Sequence, residues 1–221
     1  MDWLKLEPEK TNDLIEKIKS PADAVLFSPT TSDISRGHLP FYRTVGWYRL
    51  TNYAALPVFT IEFLSNGVNF FEHLDGTEVP IYATNAACAE HGEFQLNELT
   101  VLPYLNFFFM NVIFEDGDAY IVNPDEADPG RSRFVGGYMP YDLTAGTGYV
   151  SVKTEPSDGK FEVTAPMVYA GALVRAKIEV NNLGHVRIAE RGLWEKDLST
   201  ALQAAVRASE ANPMQFFEGK Q

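Results

Sequence analysis

Residues 172–188 read ALVRAKIEVNNLGHVRI, and their alternation decides the fold class. Ala172, Val174, Ala176, Ile178 and Val180 take every second position. Leu173, Arg175, Lys177 and Glu179 fill the places between, the period of a half-buried strand. A turn at Asn182-Leu183-Gly184 returns the chain so that Val180 meets Val186 and Ile178 meets Ile188. The same register sets Glu179 opposite Arg187, and a one-residue slip would destroy both matches. Upstream, Phe161, Val163 and Ala165 form a further alternating run.

Similar turn signals divide the middle of the chain: Asn66-Gly67, Asp75-Gly76, Asp116-Gly117 and Asp158-Gly159. Asn66-Gly67 predicts a two-residue hairpin loop joining 57–64 to 68–74, with Phe63 facing Phe70 and Ile61 facing Glu72. That register aims the Glu72 carboxylate at an apolar face. Asp75-Gly76-Thr77 would then lead into an edge strand at 79–83, where Pro80 lacks a backbone donor. Aromatic residues from 41 to 50 suggest another strand, and a Ser-, Thr- and Pro-rich loop spans 28–35.

Helices are expected at three places. Residues 8–19 place Leu14, Ile15 and Ile18 on one face, with Pro8 in the first turn and Pro21 beyond the end. The segment 99–114, LTVLPYLNFFFMNVIF, is too short and too interrupted for an ordinary membrane span. It reads as a buried helix over 97–110, capped by Asn97, with Leu102, Leu105, Phe109 and Val112 at helical spacing, running into a strand. A C-terminal helix is expected over 196–211. Together these give an α+β fold of antiparallel hairpins in a single domain. Sub-lobes 20–125 and 134–211 would be joined by the Pro- and charge-rich 123–133 segment.

Composition narrows the functional classes. The 221 residues carry a formal net charge of −12, which argues against nucleic acid or an anionic membrane as partner. Cys88 is the only cysteine, so neither an internal disulfide nor a cysteine-rich zinc site can form. The N-terminus lacks the basic start and apolar stretch of a secretory signal, which makes a cytoplasmic location the expectation.

Two acid–histidine clusters, Glu72-His73-Leu74-Asp75 and Glu90-His91-Gly92-Glu93, could share a metal or supply acid–base catalysis if they converged. Neighbouring strand residues point to opposite faces, however, so Glu72 and His73 make poor joint ligands, and no metal is expected. Cys88 with His91 invites a nucleophile–base reading, against which stands the commoner role of a lone cysteine in packing. The Gly-rich 136–148 segment lacks a phosphate-loop ending, and the acids of 115–128 do not follow a calcium-loop spacing. Tyr42, Arg43 and Tyr48 form an arginine–aromatic group able to bind a carboxylate, although core packing with the arginine at the surface is the favoured reading of the aromatics.

Pro40-Phe41-Tyr42-Arg43, Tyr48-Arg49-Leu50-Thr51, Leu74-Asp75-Gly76-Thr77 with Pro80-Ile81-Tyr82, and Phe107-Phe108-Phe109 together resemble a family of bacterial proteins of unknown function. The likeness spans about residues 40–122 and implies a bacterial origin but no activity or cofactor. The sequence therefore points to a protein that binds a small ligand or a protein partner, without cofactor and without catalysis. The alternatives are a metal-dependent or acid–base hydrolase using Glu72, His73 and His91, or a subunit of a larger assembly, with a homo-oligomer as a further partner expectation. Exposed terminal aromatics such as Trp3, Phe216 and Phe217 would anchor that assembly.

Overall fold

In the computed structural model, described for residues 3–18, 27–122, 150–155 and 159–193, the hairpin at 172–188 forms with the expected pairing. Val180 lies opposite Val186, Ile178 opposite Ile188 and Glu179 opposite Arg187. The Asn181 side-chain oxygen accepts the N–H groups of Leu183 and His185, and Gly184 takes a left-handed φ of 78° to close the turn. Arg187 and Glu179 join in an ion pair of 2.6 Å on the wet face.

The fold is α+β, with three helices and two antiparallel sheets among the described residues. The chain divides into two compact units, Met1–Phe94 and Gln95–Gln221. This division precedes the apolar central helix. The 123–133 segment, the Gly-rich 136–148 stretch and residues 196–211, where a helix is expected, lie outside the described residues.

The first unit is a five-stranded sheet whose spatial order follows the sequence: β1 (Trp3–Lys5), β2 (Ser32–Gly37), β3 (Gly46–Asn52), β4 (Phe59–Ser65) and β5 (Phe71–His73). Helix α1 (Pro8–Ile18) lies between β1 and β2 in sequence and packs on one face. There Leu14 and Ile15 meet Ile34, Tyr48, Leu50 and Phe63, while Ile18 is partly buried against the same cluster. Trp47 and Leu64 are buried on the opposite face. Strand β2 occupies half of the segment expected as loop, and the aromatic strand begins at Gly46 instead of residue 41.

Two expectations for this unit are overturned. Strand β5 pairs Phe63 with His73, Leu64 with Glu72 and Ser65 with Phe71, three residues from the anticipated register. The cause is a five-residue loop held by side chains. Asn66 Oδ1 accepts the N–H groups of Val68, Asn69 and Phe70, while Ser65 Oγ accepts that of Gly67 and donates to the Phe70 carbonyl. An odd slip exchanges the two faces of a strand, so Glu72 lies in the row of Leu64 and Trp47 and not opposite Ile61.

The expected edge strand at 79–83 is instead the start of helix α2 (Val79–Glu90). Asp75 Oδ1 accepts both the N–H and the hydroxyl of Thr77, and Thr77 Oγ1 accepts the Val79 N–H. Pro80 falls in the first helical turn, where a missing N–H costs nothing, and four alanines follow.

The second unit begins with helix α3 (Val101–Asn111), four residues later than expected. The cap position is Thr100 and not Asn97, whose side-chain oxygen accepts the Leu99 and Thr100 N–H groups of the preceding turn while its carbonyl accepts that of Val101. Leu102, Leu105, Phe109 and Val112 are all buried. The sheet runs in the order β10 (Val186–Leu193), β9 (Ala172–Val180), β8 (Lys160–Tyr169) and β6 (Ala119–Ile121), with β7 (Ser151–Glu155) pairing the other end of β8. Phe161, Val163, Ala165 and Met167 line its buried face with Ala176, Ile178 and Val180. Strand β10 departs from regular register between Ile188 and Glu190. No helix among the described residues is long and apolar enough to cross a membrane.

Candidate functional site

The acid–histidine clusters do not assemble a metal site: no group of three His, Cys, Asp or Glu residues among the described residues is placed to hold an ion. Glu72 and His73 are consecutive on β5 and point to opposite faces. Asp75 is committed to Thr77, whose two hydrogen bonds hold its carboxyl below the usual range. His91 is exposed at the end of α2, and its own N–H serves the last turn by donating to the Cys88 carbonyl.

Cys88 is buried in α2, and its thiol is pushed up to about 11, first by burial and then by the charge of Glu93. A nucleophile needs the opposite shift. At pH 7.5 iodoacetamide is therefore expected to alkylate the folded protein about 100-fold more slowly than the unfolded chain, from the difference between 9.0 and 11. A mass-spectrometric time course in buffer and in urea checks this, and equal rates would contradict it.

The arginine–aromatic group is split up. Tyr42 is buried, donates to Asn85 Oδ1 at 2.5 Å and packs its ring against Phe41 and Phe94 at 4.9 and 5.5 Å. Arg43 is exposed, with its backbone N–H on the Glu93 carbonyl. Tyr48 stacks on Phe63 at 5.4 Å, and the cation beside its ring is Arg36. Arg49 also has partners: it lies 4.3 Å from the Trp3 ring centroid and pairs with Glu62 at 2.7 Å.

What the sequence reading missed is the connection between β3 and β4. Tyr53 is 59% exposed, Leu56 97%, Val58 52% and Phe59 42%. Thr51–Thr60 carries no charged side chain, although the chain as a whole stands at −12. The backbone of this apolar end is anchored and does not dangle. The Tyr53 N–H donates to the Thr31 carbonyl, the Ala54 N–H to Asn52 Oδ1, and the Phe59 ring rests 5.7 Å from buried Phe27. The Leu56–Pro57 peptide is cis. Val68, Val79, Leu99 and Ile113 are also exposed, but none shares its connection with other large exposed apolar residues. A connection between strands is ordinarily polar, so TNYAALPVFT was itself the available signal.

No protein-family model matches this chain, and neither a curated protein nor a solved structure is significantly similar to it. The functional reading rests on the surface itself.

Proposed function

We propose that the chain is a cytoplasmic, non-enzymatic binding module that docks a protein partner through the apolar β3–β4 connection. The observation that supports it is Leu56, standing almost wholly in water among Tyr53, Val58 and Phe59. Soluble proteins expose single apolar side chains freely, but several large ones exposed within one connection are the composition of an interface core. Four side chains make too small a patch for stable self-association, which takes roughly 800 Å² from each copy. They suit insertion into a partner's apolar cleft. The net charge of −12 disfavours an acidic partner, so the cleft belongs to a protein with a basic surface.

The test places a photocrosslinking residue at Leu56 and, as control, at Leu99. Crosslinking to one basic protein from position 56 and not from 99 is expected. The purified partner should then lose at least roughly 100-fold in affinity for Leu56→Asp/Val58→Asp, the scale of a two-residue hot spot. Unchanged affinity in that variant would defeat the reading, as would crosslinking to a second copy of the chain. Both substitutions lie in water, so thermal stability should stay within about 0.5 kcal/mol.

A further inference from the structure

We propose that Arg36, Lys17 and the Tyr48 hydroxyl form a binding site for a phosphate-type dianion at one end of the α1-covered face. This site is independent of the apolar connection.

Three elements converge there. Arg36 on β2 lies opposite Tyr48 on β3, its guanidinium carbon 5.8 Å from the ring centroid. The arginine side chain passes over Gly46. A Cβ at that position would stand 2.6 Å from Arg36 Nε, 3.3 Å from its Cγ and 3.3 Å from Tyr48 Cε2. Glycine thus leaves the lane in which the guanidinium rests. On the far side the Tyr48 hydroxyl reaches Gly67, lying 3.4 Å from where a Cβ of that residue would be. Lys17, from the last turn of α1, brings its ammonium to the Gly67 carbonyl at 3.4 Å.

Neither charge is neutralised by a carboxylate among the described residues. Lys5, Arg49, Lys177 and Arg187 each have a carboxylate within 3 Å. Among the described residues, neither Arg36 nor Lys17 has a carboxylate at ion-pair distance, although Asp13 lies one helical turn before Lys17. Both cations are exposed, so an ion can reach them. Burial raises the Tyr48 hydroxyl above its ordinary value while the Arg36 charge pulls it down, and it remains a protonated donor.

The donor set favours a dianion. A single guanidinium fork satisfies a carboxylate. Here Lys17 and the Tyr48 hydroxyl both lie at Gly67 and Arg36 lies beside the Tyr48 ring, a set that offers two positive charges and an O–H donor to at least three acceptor oxygens. Inorganic phosphate and a phosphomonoester share that chemistry.

The test titrates the full chain with inorganic phosphate, phenyl phosphate and acetate at pH 7.5, following the Arg36 Nε–H and Tyr48 ring resonances by NMR. Saturable shifts with either phosphate, at least tenfold tighter than with acetate, are expected. Preference for phenyl phosphate would identify a phosphomonoester, and equal affinity the free ion. Arg36→Gln and Lys17→Gln should each weaken binding at least tenfold with an unchanged circular dichroism spectrum, and Arg36→Lys should fall between. No saturation, acetate binding as tightly as phosphate, or undiminished binding in the double glutamine variant would overturn the site.

Discussion

Replacing Trp47 with alanine is expected to destabilise the first unit by about 3–5 kcal/mol, the range for removing a large buried aromatic. The side chain is only 2% exposed, stands between Gly37 and Leu64 in the sheet, and has the Trp3 ring 4.8 Å away. Of its partners in the sheet, Gly37 offers no side chain to fill the hole and Leu64 is itself fully buried. Urea unfolding followed by circular dichroism measures the loss. Trp3 fluorescence should shift to the red in the variant, since its ring would lose its aromatic neighbour. A cost below about 1 kcal/mol would mean that this face is not packed as described.

Tyr104→Ala should cost the second unit a similar amount, for a different mixture of reasons. The ring is fully buried in α3, and its hydroxyl donates to the Gly184 carbonyl at 2.5 Å, eighty residues further along the chain. Truncation removes the ring, about 3–5 kcal/mol by comparison with other large aromatics, and also strips a buried carbonyl of its donor. Tyr104→Phe separates the two contributions: keeping the ring and losing the hydroxyl is expected to cost about 1–3 kcal/mol. Amide exchange at Leu183 and His185 should accelerate in both variants, because the hydroxyl holds the turn that registers β9 on β10. Equal stability of Tyr104→Phe and the parent would assign the whole effect to packing.

These two residues illustrate what the sequence could reveal. The β9–β10 register was legible because alternation, turn residues and a charge pair all demanded the same pairing, and Asn181 then closed the turn locally. The β4–β5 register was not, because Asn66-Gly67 looks like a two-residue turn while Ser65 and Asn66 tie the backbone into a longer one. The distinction depends on side-chain hydrogen bonds that a dipeptide does not announce. Helix α2 is hidden in the sequence for a related reason: Pro80 fits an edge strand and a first helical turn equally, and Asp75 with Thr77 selects the helix.

The candidate sites follow the same division. Tyr42, Arg43 and Tyr48 do not form one group, although the Tyr48 ring does have an arginine beside it. Its partner is Arg36 from the adjacent strand, not Arg43 from the neighbouring segment. Cross-strand partners twelve residues apart become visible only once β2 is known to exist. The apolar connection is written in the sequence as TNYAALPVFT, but an apolar run does not by itself announce whether it is buried or exposed.

The irregularity at Ile188–Glu190 has a bearing on how this protein behaves in concentrated solution. Strand β10 borders its sheet, and a long regular border is a template on which further chains can add and grow into insoluble fibrils. The register shift breaks that template midway, and exposed Arg187, Glu190 and Arg191 flank the break. The longest open border among the described residues is thus shielded against runaway stacking of copies.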